Sequence, residues 1–179
     1  NADIRFSRSQ ETQQAYEARI DALFAGDKPS ARGTRVLDKS DVLDLLGASK
    51  GGIHLVEGKV VAGQDNHPFK TAQQWKQVPQ WLDNPAMVFE SDTVAGRLVF
   101  IGPELVNESP VRMIVDPRPE GDGVNLLINA YDAQVNPFSR WERDGLLRYY
   151  DKQKAPKIAG SFQPQLAGLP GSGGREKIL

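Results

Sequence analysis

The sequence predicts an α+β fold, with N-terminal helices packed on an antiparallel β-sheet of about four strands. Three observations carry this. In the run 10–24, Tyr16, Ile20, Leu23 and Phe24 recur at three- and four-residue spacings and give one apolar helical face. The second half of the chain holds short β-rich runs bounded by proline and glycine. Helices come first and strands later, with short polar connections, which favours a meander over a doubly wound sheet.

The elements follow in order. Residues 26–33 contain glycine, proline and serine and read as a loop. Residues 35–37 read as a short strand. Residues 40–47 read as a helix: Ser40 can cap it, acidic residues fill its first turn, and Gly47 can stop it. Ile53-His54-Leu55-Val56 reads as a strand, with His54 a packed or edge histidine. After the turn at Gly58, residues 59–61 either pair back or lead into a helix. Residues 71–82 read as helical, but Pro79 lacks a backbone donor, so two short pieces meeting at Pro79 are expected. Four strands are then predicted over 86–90, 97–101, 111–115 and 123–131, with Glu120-Gly121-Asp122-Gly123 as a hairpin turn. Residues 138–150 read as a short helix plus a strand. The chain divides into a helical lead-in over 1–34, an α+β domain over 35–151 and a polar flexible tail over 152–179. Trp75, Trp81, Phe89, Phe100, Ile114, Leu127 and Leu146 are the predicted core.

Composition narrows the chemistry. A total of 22 Lys and Arg against 23 Asp and Glu gives a formal charge of −1, unlike a polybasic nucleic-acid binder. With no cysteine, disulfides, thiolate metal sites and a cysteine nucleophile are absent. Two histidines without an HExxH-like spacing give no metal site and call for no cofactor. No apolar run nears the roughly 20 residues of a membrane span, and no signal-peptide pattern opens the chain.

The most chemically suggestive stretch is Asn66-His67-Pro68-Phe69-Lys70-Thr71, at the mouth of the two-tryptophan helix. Histidine titrates near neutrality and suits acid/base work, and a neighbouring lysine can stabilise a phosphate. Capping explains Asn66 and Pro68 equally well. Ser91-Asp92-Thr93 follows a strand; such clusters make turns, and their hydroxyls can also meet a phosphate. Alternation places Leu127, Asn129 and Tyr131 on one sheet face, as a solvent face or an active-site floor. Arginines and aromatics interleave in Arg140-Trp141-Glu142-Arg143 and Arg148-Tyr149-Tyr150, as in base-stacking surfaces and ordinary domain edges alike. Neither a GxSxG elbow nor a phosphate loop is present.

Four stretches together carry a resemblance: His67-Pro68 with Thr71, the run from Leu82 through Asn84-Pro85 to Ser91, Asn129-Ala130-Tyr131-Asp132, and Gly145-Leu146-Leu147-Arg148-Tyr149. Over roughly 35–150 the chain resembles the C-terminal domain of phage MuF-type and polyvalent phage or prophage proteins. That domain looks related to the Barnase–EndoU–colicin–RelE nucleases, some of them toxins. The resemblance implies metal-independent RNA cleavage, tRNA being one candidate substrate. A base takes the ribose 2′-hydroxyl proton, the hydroxyl attacks the phosphate, and an acid protonates the leaving oxygen. His67, Ser91, Asn129 and Tyr131 match the family's catalytic positions, and asparagine at 129 departs from its usual serine. Lys70, Thr71, Thr93 and Arg148 would contact substrate, with Lys76, Arg97 and Arg140 adding positive charge. An immunity or partner protein and delivery into the bacterial cytoplasm are further implications. The alternatives are a non-catalytic phage module that binds a partner protein, and an ADP-ribosyltransferase, whose Arg…Ser-x-Ser…Glu-x-Glu pattern is missing.

Overall fold

The computed structural model describes residues 8–48, 51–66, 71–118, 124–160 and 162–170. Its elements run α1 (Gln10–Phe24), β1 (Thr34–Leu37), α2 (Asp41–Leu45), β2 (Gly52–Leu55), α3 (Gly58–Asn66) and α4 (Ala72–Asp83). They continue with β3 (Met87–Glu90), β4 (Leu98–Val106), β5 (Ser109–Asp116), β6 (Val124–Asp132), α5 (Phe138–Arg143), β7 (Leu147–Tyr150) and α6 (Ala155–Ala159). The fold is α+β, with helices on both faces of one sheet.

That sheet has seven strands in the order β1-β2-β6-β5-β4-β3-β7, where the sequence predicts about four antiparallel ones. The meander β3–β6 is present and antiparallel. The difference lies in the short strands. β2 pairs with β6 in parallel, β1 adds to β2, and β7 returns to the far side of β3. A parallel partner is reached only through a long crossover, here everything from α3 to β5, so no local pattern in a four-residue run announces it.

Local signals set most of the ends. Ser9, Ser40 and Thr71 cap α1, α2 and α4 by accepting from the N–H groups of Thr12, Leu43 and Gln74. Thr71 and Gln74 form a full capping box. β4 and β5 are longer than predicted because a two-residue turn joins them: Asn107 and Glu108 have φ of 51° and 64°, the backbone that tight hairpins demand. The 120–123 turn lies outside the described residues.

The helix predicted to break at Pro79 is continuous from Ala72 to Asp83. Pro79 cannot donate to the Trp75 carbonyl four residues back. The hydroxyl of Tyr16, from α1, donates to that carbonyl instead. Burial pushes the Tyr16 phenol well above its ordinary value, and Glu17 adds to the rise.

Two cores result. The larger takes Tyr16, Ile20 and Leu23 from α1, and Trp75, Val78, Trp81 and Leu82 from α4. These pack against Leu55, Phe100, Met113, Val115 and Leu127. The smaller lies on the opposite face under α5 and α6, with Phe89 stacked on Phe138 (5.5 Å) and edge-on to Trp141 (5.2 Å). Of the predicted core, Trp75, Trp81, Phe89, Phe100 and Leu127 are buried; Ile114 and Leu146 are half-buried against the smaller core. Residues 152–170, read from sequence as the start of a polar tail, contain α6, and Ile158, Phe162, Leu166 and Leu169 pack into that core.

Candidate functional site

β6 carries two of the four predicted catalytic residues. Asn129 and Tyr131 pair with Ile114 and Arg112 of β5 and therefore share their face. The register shifts here: Ile114 opposes Asn129 while Val115 opposes Leu127, leaving Ile128 as an extra residue. This bulge turns Leu127 onto the larger core with Ala130. Strict alternation, which puts Leu127 with Asn129 and Tyr131, fails at this point. Asn129 spends its Oδ1 on the N–H of Ala130 (2.9 Å). Tyr131 is half-buried and reaches the larger core as well.

Ser91 lies at the end of β3. Its Oγ accepts from the N–H groups of Thr93 (3.2 Å) and Val94 (3.1 Å) and lies 3.1 Å from the Thr93 hydroxyl. Both hydroxyls thus serve a turn. Register runs from Asn129 to Ile114, Val99 and Phe89 across β6, β5, β4 and β3. Three strand spacings, about 14 Å in all, therefore separate Asn129 from the strand that leads to Ser91. The structure brings Asn129 and Tyr131 together and sets Ser91 and Thr93 apart from them. His67 and Lys70 lie outside the described residues, and Thr71 is the α4 cap.

Three of the expected cations, Arg148, Lys76 and Arg140, have carboxylate partners. Arg148 bonds Glu90 at 2.5 Å and the Gly145 carbonyl at 2.5 Å. Lys76 pairs with Asp21 at 2.8 Å, and Arg140 with Asp92 at 3.3 Å. Asp92 also accepts from the Trp141 indole (3.0 Å), and the Arg112 guanidinium sits 5.1 Å from that ring's centre. Arg112 donates to the Val135 carbonyl at 2.8 Å. This group clamps α5 to the β3–β4 turn and to β5.

A cleft of about 370 Å³ opens where residues 29–33 meet Leu55, Glu57, Gly58 and Leu126. Glu57 is 1 % exposed and is the one acid in its wall among the described residues. Its Oε1 accepts from Arg19 (2.7 and 3.0 Å) and from the N–H of Ser30 (2.9 Å), and its Oε2 accepts from Thr34. Burial would raise this carboxyl, but the bonds from Arg19, Thr34 and Ser30 outweigh it and hold Glu57 below the ordinary carboxylate range. It is ionised and saturated, which suits a structural staple and not a proton shuttle. Sequence reasoning passed over Glu57, since a single acid before a glycine carries no signal of its partners 23 to 38 residues away.

On the sheet face opposite the larger core, the smaller core draws no fully buried side chain from β1, β2, β5 or β6 among the described residues. That end presents Arg35, His54, Leu126, Asn129, Tyr131, Arg112 and Ile114 in register. No group of acids and histidines able to hold a metal occurs among the described residues, and no described helix is long and apolar enough to cross a membrane.

The family described as Phage MuF-C-terminal domain matches residues 59–157. No curated protein and no solved structure matches the chain.

Proposed function

Because the chain belongs to the phage MuF C-terminal domain family, we propose that it is a phage module that binds a partner protein without catalysing a reaction. One observation carries this reading. Ser91, Asn129, Lys76, Arg140 and Arg148, offered by the sequence for acid/base work or phosphate binding, all engage groups of the fold itself. A phosphate entering near Arg140 or Arg148 would displace a carboxylate, and Ser91 would have to leave its turn. The half-open sheet face offers room for contact. Two arms test the reading. Lysine-directed cross-linking in phage-bearing cells is expected to give a discrete protein adduct, and labelled tRNA is expected to show no saturable binding tighter than the non-specific range of about 10⁻⁴–10⁻⁶ M. Tight, saturable tRNA binding with no protein adduct would reject it.

A second reading, metal-independent endoribonuclease, is favoured by Asn129 and Tyr131 sharing one face beside Arg112. In that reading His67 is the acid/base and Tyr131 orients the phosphate.

A further inference from the structure

β7 is the last strand of the sheet, and the chain closes that end with a segment that is neither helix nor strand. Residues 162–170 pass over the smaller core. Phe162 is buried between Phe138 and Tyr150, with ring centres 6.1 and 6.3 Å away. Leu166 and Leu169 are half-buried on the same cluster. The Pro170 carbonyl accepts from the Tyr150 N–H at 3.2 Å. A long contact, 3.4 Å, joins the Gln165 N–H to Glu142. Among the described residues the segment's other backbone bonds are local, from Phe162 to Ala159 and from Leu169 to Leu166. All nine residues lie past position 157, where the family match ends.

We propose that residues 162–170 are an intramolecular ligand, holding a groove that takes an extended apolar peptide of a partner protein with the pattern Phe-x-x-x-Leu-x-x-Leu. This rests on the partner-binding reading and names its surface. The segment itself shows which chemistry fits: one aromatic and two leucines at those spacings, plus a main-chain acceptor for Tyr150. Among the described residues its hold is three apolar side chains, one bond to Tyr150 and the long contact to Glu142, set against the conformational entropy of nine ordered residues. It owes its place to tethering, which gives a high local concentration. A peptide that filled the same three positions and supplied the acceptor for the Tyr150 N–H in place of Pro170 would compete, because it would reproduce the contacts that hold the segment in place.

The test uses the full chain carrying Phe162→Ala and Leu169→Ala, and a fluorescent peptide with the wild-type sequence of residues 160–171. The substituted chain is expected to keep its far-UV circular dichroism and to bind the peptide at least about tenfold more tightly than the wild-type chain, whose groove is filled, as the loss of a tethered competitor predicts. A peptide with alanine for Phe162 should lose that binding. Loss of fold in the substituted chain would overturn the proposal, since the segment would then be an integral part of the core. Equal binding to both chains, or none to either, would overturn it as well. Hydrogen exchange on the wild-type chain gives an independent check. The Tyr150 amide, held by the segment, should exchange at least about tenfold faster than the Glu90 amide of β3, which bonds the Leu146 carbonyl just before β7; equal protection would count against a segment that detaches. Failure here leaves a protein adduct from cross-linking intact, so the two readings fail separately.

Discussion

The hydroxyl of Tyr16 donates to the carbonyl of Trp75 at 2.5 Å, and Trp75 is the residue whose carbonyl Pro79 leaves without a helical donor. α1 thus repairs α4, 59 residues away in sequence. A proline inside a twelve-residue helix is kept because tertiary structure supplies the missing bond.

Tyr16→Phe should destabilise the fold by about 1–3 kcal/mol, the cost of leaving a buried carbonyl unpaired. In a Pro79→Ala background the same change should cost less, because residue 79 can then donate to Trp75. Urea unfolding of the four proteins in a double-mutant cycle should give a coupling of at least about 0.5 kcal/mol. Additive effects would show that Tyr16 and Pro79 act separately.

Burial raises the Tyr16 phenol in the fold, and with it that of Tyr150. A folded-state pKa above the unfolded one gives stability that is full below about pH 10 and declines as pH rises past it, because the unfolded phenol ionises first. Tyr16→Phe should flatten this alkaline limb in denaturant titrations at pH 8–11, to the share that Tyr150 leaves.

Glu57 has the opposite sign. Its folded pKa is held below the ordinary range, so its stabilisation is present above the unfolded value of about 4.3 and is lost as pH falls through the folded one. Glu57→Gln should remove that part of the acid limb and cost about 2 kcal/mol at neutral pH. The cost stays below the 3–5 kcal/mol of a fully buried pair because Arg19 keeps 24 % of its side chain exposed. Thermal melts at pH 4 and 7 check both.

Gly33 stands at the entrance to β1 with φ of 70°, and a Cβ there would lie 2.4 Å from the Leu55 carbonyl oxygen. Gly33→Ala should cost more than about 1 kcal/mol. Gly145→Ala, at φ of 76° with open space around it, carries the backbone penalty alone and should cost less. Equal losses in urea titrations would contradict the clash.

Much of the fold was legible where one residue type speaks for its own neighbourhood. The apolar stripe of α1, the cap Ser40, and the proline-bounded runs of the meander all correspond to elements. What escaped was non-local. The parallel partner of Ile53 is Asn125, and nothing in either run names the other. The bulge at Ile128 reverses the face of Leu127 without a glycine to mark it. Of the candidate site, the shared face of Asn129 and Tyr131 follows from period-two spacing. The carboxylates that occupy Lys76, Arg140 and Arg148 do not, since the three pairings join residues 55, 48 and 58 positions apart.

The most direct test is incubation of the purified full chain with total tRNA in EDTA, followed by denaturing gel analysis of wild type and His67→Ala. A non-catalytic module leaves the tRNA intact, and the two proteins give identical lanes. Metal-independent cleavage by the wild type that falls by about 10²–10⁴ in His67→Ala, the share of one acid/base group, would contradict the account and establish the nuclease.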